Sequence, residues 1–209
     1  MPDGAYEAIT RAKNQVSGGN PEGAEKTLED YLRTDPHNTK VRLALAQILS
    51  NHLKDRNGAL LQLDIILDLD PDDIDAKKAL VTILKPEARN RKEANKHFGE
   101  LVLLCPDDVD LMNSYAIFLK NQMVDFKASA EMYEKALSTD PKRADIHYNY
   151  AILLYKDIKN YIKTKEHLEE AIRIDPADKN FRTALERLMK NKFKDGKPKK
   201  KLFEFGKKD

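Results

Sequence analysis

Apolar residues recur every three to four positions along most of the chain, with polar residues between them. In residues 144–176 a first stripe consists of Ile146, Tyr150, Leu153, Leu154 and Ile158. A second stripe consists of Tyr161, Leu168, Ala171, Ile172 and Ile174. This spacing is typical of an amphipathic α-helix that buries one face. Because the polar residues 157–160 separate the stripes, the segment predicts two antiparallel helices joined by a tight turn.

The same pattern returns with a fixed period. Prolines stand 35 residues apart, at Pro36, Pro71, Pro106, Pro141 and Pro176. A residue before proline is disfavoured in the α region, so each proline marks the end of a helix. A fixed period of this length indicates a repeat architecture in which each hairpin packs on its neighbours. The single cysteine, Cys105, stands before one of these prolines where the other repeats hold Asp, which favours a structural role over a reactive one.

Small and large residues recur at the same places in successive repeats. Ala116 and Ala136 correspond to Ala151 and Ala171 one period later, and short side chains allow two helices to approach closely. The pattern resembles the tetratricopeptide repeat, which has Leu-Gly and Tyr in its first helix and Ala, Phe, Ala and Pro in its second. Four units between about Asp35 and Pro176 carry it, as in Leu80, Leu84, Ala94, Phe98, Leu101 and Pro106. Each unit has 35 residues where the family has 34.

The resemblance implies an all-α fold, a right-handed α-α superhelix with about five helical hairpins and a C-terminal capping helix. We expect a divergent first hairpin over 1–34, four repeat units over 35–176, a capping helix over 177–193 and a basic flexible tail over 194–209. The distance from Leu119 to Phe126 indicates that the extra residue lies in the turn inside each hairpin. Pro86 in the third unit predicts that its first helix ends near Lys85.

Charge and targeting signals suggest where the protein resides. Residues 190–209 contain nine lysines and three acidic residues, so an acidic body precedes a basic tail. The N-terminal residues lack a basic-then-apolar signal pattern, and no apolar run is long enough to span a membrane. We therefore expect a cytoplasmic protein without a membrane partner, and one unpaired cysteine is compatible with a reducing compartment.

In the tetratricopeptide repeat family the first helices line a concave surface that receives an extended peptide or a partner's helix. The resemblance therefore implies a binding groove, and the matching positions carry ammonium groups, amides and two tyrosines. They begin with Leu43, Gln47 and Ser50 in the second unit. The predicted site consists of Lys78, Thr82, Lys85, Asn113, Ile117, Lys120, Asn121, Tyr148, Asn149, Ile152 and Tyr155. Such a surface suits a ligand with carboxylates at one end and a hydrophobic anchor at the other.

Some relatives clamp the acidic C-terminus of a chaperone with Lys and Asn residues of three units. Ser114 and Asp145 stand at two of those places here, so that partner is not predicted. The function favoured by the sequence is a non-enzymatic scaffold or adaptor for a protein or peptide partner. Self-association through the convex face is a further alternative.

The C-terminal tail supports a second hypothesis. Its candidate contact residues are Lys199, Lys200, Lys201, Phe203 and Phe205. Lysines can contact phosphates and phenylalanines can stack on bases, so the alternative function is an RNA- or ribosome-associated factor. The same residues also suit a solvated tail or a linear motif that docks on a protein.

Catalytic motifs are absent from the sequence. It has no GxxxxGK[ST] loop and no GxSxG elbow, and its five histidines form no HxxxH or HExxH pair. Carboxylate pairs such as Asp72-Asp73 recur near helix ends, where they complement the helix dipole. We therefore expect neither an enzyme nor a cofactor or metal site.

Overall fold

Eleven α-helices make up most of residues 4–85 and 88–198, the parts of the chain that this computed structural model describes. In chain order α1 to α11 span Gly4–Ser17, Pro21–Leu32, Thr39–Ile48, Arg56–Leu69, Ile74–Leu84, Arg91–Leu104, Val109–Phe118, Phe126–Thr139, Ala144–Leu153, Tyr161–Ile174 and Lys179–Lys192. A short 3-10 helix, Ala88–Asn90, precedes α6. The all-α class predicted from the period of the apolar residues is confirmed.

The helices pack as sequential hairpins in two compact units. Unit 1 is Met1–Cys105 and unit 2 is Pro106–Asp209. In unit 1 the hairpins are α1/α2, α3/α4 and α5/α6, and α2 and α4 also contact the next hairpin. In unit 2 the hairpins are α7/α8 and α9/α10, and α11 packs on α10. The described helices thus form five hairpins and one further helix.

Short polar side chains begin most of these helices. An Asn or Asp side chain accepts a hydrogen bond from a backbone N–H in the first turn of α2, α3, α4, α5, α7, α8, α10 and α11. The four N–H groups that start a helix lack partners within it, so such a cap stabilises the helix by about 1 kcal/mol. The recurring Asp and Asn residues of the repeat therefore set where these eight helices begin.

The extra residue of the 35-residue period is accommodated in a π-helical turn. Three first helices continue into such turns, at Leu49–Leu53, Leu119–Met123 and Leu154–Ile158. Each turn closes with a hydrogen bond from an N-cap residue to the leucine that opens the turn, as from Asp125 N–H to the Leu119 carbonyl at 3.0 Å. The prediction that the insertion lies between Leu119 and Phe126 is confirmed at the level of individual hydrogen bonds.

Each π-helical turn ends in a left-handed residue: Lys54, Val124 or Lys159. Val124 has φ 57° and is 62% exposed. A β-branched side chain is strained in this conformation, whereas Asn tolerates it. We expect Val124→Asn to raise the free energy of unfolding by about 1 kcal/mol, measured by urea denaturation. The matched change Lys159→Asn should give a smaller gain because lysine is not β-branched, and equal gains would contradict the strain at Val124.

The core of unit 2 lies between its helix pairs. Its buried residues include Met112, Tyr133, Ile146, Tyr150 and Leu153. Ala116, Ala136, Ala151 and Ala171 are each 0% exposed, as expected for sites of close helix approach. The prediction that Ile158 belongs to the buried stripe was wrong, because the π-helical turn leaves it 39% exposed.

The third repeat differs from its neighbours at the end of its first helix. Helix α5 ends at Leu84 and Lys85 follows as its C-cap residue. The prediction that Pro86 stops this helix near Lys85 is therefore confirmed, and α5 does not continue into a π-helical turn.

The segment after α11 departs from the predicted flexible tail. Phe193–Lys194 (β1) and Lys197–Pro198 (β2) pair as a two-stranded antiparallel hairpin, with Phe193 opposite Pro198. Phe193 is buried against Leu188 and Tyr161, which anchors the hairpin to unit 2. The expected start of the tail at residue 194 was therefore wrong. Lys199, Lys200, Lys201, Phe203 and Phe205 lie outside the described residues.

Cys105 occupies a loop position that is a carboxylate in the other repeats. The side chains of Asp70, Asp140 and Asp175 each accept the backbone N–H two residues ahead. Such a turn satisfies a loop N–H group after the helix ends. Cys105 is a free thiol at the end of α6, and its N–H donates to the Leu101 carbonyl.

Candidate binding clefts

The predicted groove residues of unit 1 meet in one depression. Leu43, Gln47 and Ser50 of α3 and its π-helical turn face Lys78 and Thr82 of α5 across a cleft of about 460 Å³. We call it the α3–α5 cleft. Asp75 also lines it, and Lys85 does not. The Thr82 hydroxyl donates to the Lys78 carbonyl at 2.9 Å, so it is engaged with its own helix. This cleft mixes polar and apolar side chains and carries both signs of charge on its wall.

Two asparagines of unit 2 meet across neighbouring first helices. Asn149 Nδ2 of α9 donates to Asn113 Oδ1 of α7 at 3.2 Å. We call these residues the amide pair. Both side chains are half-buried, and Ile117, one turn further along α7, is 37% exposed. A side-chain amide has two donors and a carbonyl acceptor, so this contact uses only part of their hydrogen-bonding capacity.

The two remaining predicted residues of α7 lie beyond its end. Lys120 and Asn121 fall in the π-helical turn Leu119–Met123. Lys120 is half-buried and Asn121 is exposed.

The tyrosines of α9 and of its π-helical turn line a smaller cleft with the last helix. Tyr148, Ile152 and Tyr155 face Asn180, Thr183 and Arg187 of α11 around about 210 Å³. We call this the tyrosine cleft. The Tyr148 ring packs on Phe181 at a centroid distance of 5.1 Å, and Tyr155 packs on Tyr161 at 5.7 Å. Leu168, Leu188 and Ala184 complete an apolar floor.

Sequence reasoning missed the contribution of α11 because it assigned this helix only a capping role. Thr183 and Arg187 stand 35 residues after Tyr148 and Ile152, which is one repeat period. The period of the groove positions therefore continues into α11, and both of these residues line the tyrosine cleft. Extending the register by one unit would have found them.

A second set of residues missed by the sequence reasoning links the two helices of a hairpin. Arg42, Lys77 and His147 are spaced by 35 and 70 residues in the same column of the repeat. Arg42 donates to Gln62, Lys77 pairs with Glu100 at 2.7 Å, and His147 contacts His167. Lys77 is only 4% exposed, and a buried cation requires such a partner.

His147 and His167 form a histidine pair inside the last hairpin. Their Nδ1 atoms are 2.9 Å apart, and His147 Nε2 lies 3.2 Å from the Pro141 carbonyl. Because a carbonyl only accepts, His147 carries its proton on Nε2 and its Nδ1 accepts from His167. Burial, reinforced by His147 and Lys163, lowers the pKa of His167 to about 4. The two histidines are 20 residues apart, so no HxxxH or HExxH spacing marks them in the sequence.

Neither metal nor membrane features emerge from the described residues. Among residues 4–85 and 88–198, no three His, Cys, Asp or Glu side chains are grouped so that they could hold a metal ion. In the same part of the chain, none of the helices combines the length and the apolar character needed to cross a bilayer.

Comparison with known proteins identifies the repeats. Two family models described as tetratricopeptide repeat match residues 16–83 and 144–178. A search of curated proteins gave no significant match.

Solved structures with the same fold cover most of the chain. MamA 41-end from Desulfovibrio magneticus RS-1 superposes with a TM-score of 0.72 and 18% identity, over 86% of this chain and 99% of that one. PilF of Pseudomonas aeruginosa superposes with a TM-score of 0.69 and 21% identity, over 90% of this chain and 86% of that one. A tetratricopeptide repeat protein from Parabacteroides merdae ATCC 43184 superposes with a TM-score of 0.73 and 19% identity, over 88% of this chain and 72% of that one.

These identities establish the fold alone, and they agree with the predicted all-α repeat superhelix. The hairpins, the 35-residue register and both family matches lead to one conclusion: residues 16–83 and 144–178 of this chain are tetratricopeptide repeats.

Proposed function

We propose that this protein is a non-enzymatic scaffold that binds a peptide or a partner helix along its first helices. The fold in general is that of a protein-interaction scaffold. The finer proposal concerns where the partner binds. In each unit the first helices expose one column of repeat positions, while their opposite faces are buried between helices. A partner can therefore contact this column without unpacking the hairpins.

The amide pair is the observation that carries the proposal. Asn113 and Asn149 come from successive first helices and present donors and acceptors beside the exposed Ile117. The backbone of an extended peptide offers one N–H and one C=O per residue, which is the complement of a side-chain amide. The pair therefore suits main-chain contacts, and specificity would come from the clefts.

A double substitution tests this proposal. Replacing Asn113 and Asn149 by alanine should reduce capture of the partner about tenfold in a quantitative cross-linking pull-down, which corresponds to a loss of about 1.4 kcal/mol. The helical circular dichroism should stay unchanged because neither side chain lies in the core of unit 2.

The matched control removes an ion pair on another helix. Lys127 and Glu131 pair at 3.8 Å on the exposed surface of α8. Their double alanine variant should capture the partner as the wild type does. If the Asn113/Asn149 variant captures as much partner as the wild type does, the first helices are not the binding surface.

The RNA- or ribosome-associated alternative depends on the tail lysines and phenylalanines, which lie outside the described residues. None of the comparisons supports an RNA partner. This alternative stays a prediction, tested by deleting residues 199–209 and measuring RNA co-purification at several salt concentrations.

Self-association also has a specific candidate residue. Leu103 is 80% exposed, whereas its counterparts one or more periods away are the polar residues Arg33, Asp68, Ser138 and Arg173. If copies of the chain associate through this surface, Leu103→Asp should lower the apparent mass in sedimentation at high concentration.

A further inference from the structure

The tyrosine cleft has a positive rim. Lys156 and Arg187 line it, and the Lys192 ammonium lies 4.8 Å from the ring centroid of Tyr161 and 6.0 Å from that of Tyr155. Its lining residues include no Asp or Glu. The α3–α5 cleft differs because Asp75 stands there beside Lys78. The positive charge is therefore a property of the tyrosine cleft and not of first-helix clefts in general.

The tyrosine cleft is small and contains a group of apolar side chains. Ile152, Leu168 and Leu188 line it, with the two tyrosine rings at its sides. Its volume of about 210 Å³ is below the roughly 300 Å³ at which small-molecule sites begin. The cleft thus has room for one large side chain and not for a helix.

We propose that the tyrosine cleft binds an acidic peptide segment through a single leucine or phenylalanine anchor, and that α11 is a ligand-binding helix. This inference rests on the proposed function and adds the chemistry of the partner. The anchor buries apolar surface against Ile152 and Leu188. Carboxylates on both sides of it face Arg187 and Lys156, where a guanidinium can bind a carboxylate in a bidentate manner.

A peptide fits these observations better than a nucleic acid does. The cleft is lined by aliphatic side chains and also by Thr164, Asn180 and Thr183, so a leucine or phenylalanine anchor can contact the aliphatic residues while these polar groups bind the peptide backbone. The residues used here also differ from the Lys and Asn positions of the chaperone clamp, since Lys156 is in a π-helical turn and Arg187 is in α11.

Fluorescence polarisation with designed peptides tests the inference. The probe is a short fluorescein-labelled peptide with one central Phe flanked by Asp and Glu, and the protein is the full chain. Binding should weaken about tenfold when Phe is replaced by Gly or when the acidic residues are replaced by Lys. It should also weaken as salt is added, because the rim charges are exposed to solvent.

Substitutions on α11 test whether this helix forms part of the binding site. Arg187→Glu should lower affinity for the acidic probe about tenfold and improve binding of the Lys-flanked probe. The matched control Arg182→Glu makes the same charge change on the same helix at a residue that does not line the cleft, and it should leave both affinities unchanged. Equal effects of the two variants would overturn the assignment of α11.

Selection from a random peptide library distinguishes this inference from the proposed function. Binders that require the amide pair but show no acidic flanks would overturn the inference and leave the proposed function standing. An absence of binders that depend on either the amide pair or Arg187 would overturn both. If single-stranded RNA displaces the acidic probe and this displacement requires Arg187, the ligand of the cleft is a nucleic acid and not a peptide.

Discussion

Replacing Tyr150 by alanine is expected to lower the free energy of unfolding of unit 2 by about 3–5 kcal/mol. Tyr150 is 2% exposed and its ring lies 5.5 Å from that of Tyr133 and 4.6 Å from that of His167. The residue belongs to α9, and its hydroxyl donates to Glu134 of α8 at 2.6 Å. Truncation leaves a cavity where two hairpins meet and also removes this hydrogen bond. Urea denaturation followed by circular dichroism measures the loss.

Two further variants separate the ring from the hydroxyl. Tyr150→Phe keeps the packing and loses only the bond to Glu134, so it should cost about 1 kcal/mol. Tyr6→Ala removes a tyrosine that is 69% exposed and should change stability by less than about 0.5 kcal/mol. A loss below 1 kcal/mol for Tyr150→Ala would contradict the assignment of Tyr150 to the core.

The histidine pair predicts that acid destabilises unit 2. The pKa of His167 is about 4 in the folded protein, below the ordinary value of 6.5. Between these two pH values the unfolded chain binds a proton that the folded chain does not, so stability falls as the pH falls. The contribution is fully lost below pH 4 and amounts to at most about 3 kcal/mol.

The groups that face the pair are Glu134, Lys163 and Glu170. The pKa of Glu134 is lowered by its hydrogen bond from Tyr150, and that of Glu170 by its hydrogen bond from Arg173. Stability from these carboxylates is lost only below their ordinary pKa of 4.5, so it does not explain a change between pH 6.5 and pH 4.5.

Urea denaturation at several pH values between 7 and 4.5 tests the pair. His167→Gln keeps a donor for His147 but does not titrate, so its stability should vary less with pH than that of the wild type. His37→Gln changes an exposed histidine and should keep the wild-type profile. An equal pH dependence in wild type and His167→Gln would contradict the role of His167.

The fold could be predicted because its signals are local and repeated. Apolar spacing, the Asp and Asn caps and the regular prolines each act over a few residues. Because the units repeat, each of these signals appears several times along the chain. Sequence reasoning also placed the extra residue between Leu119 and Phe126. It could not predict that the backbone takes a π-helical turn there, because the hydrogen-bond pattern depends on how the two helices must align. Ile158 was placed in the buried stripe because its spacing was read as that of a regular helix, whereas the π-helical turn leaves its side chain exposed.

The candidate site was predicted in part. The column that contains Tyr148 and Ile152 followed from the register, but Thr183 and Arg187 were missed because the repeat was taken to stop at Pro176. The histidine pair was missed because residues 20 positions apart meet only after the hairpin closes. The repeat column that contains Arg42, Lys77 and His147 was the available signal, since it places polar residues where α3, α5 and α9 pack on their second helices.

Site-specific photo-cross-linking tests the central claim that first helices receive the partner. A benzoylphenylalanine residue at Ile117 lies beside the amide pair on α7, and one at Ile162 lies on the second helix α10, where the side chain is 45% exposed. We predict that the captured partner cross-links to position 117 and not to position 162. Cross-linking at position 162 with none at position 117 would contradict the account.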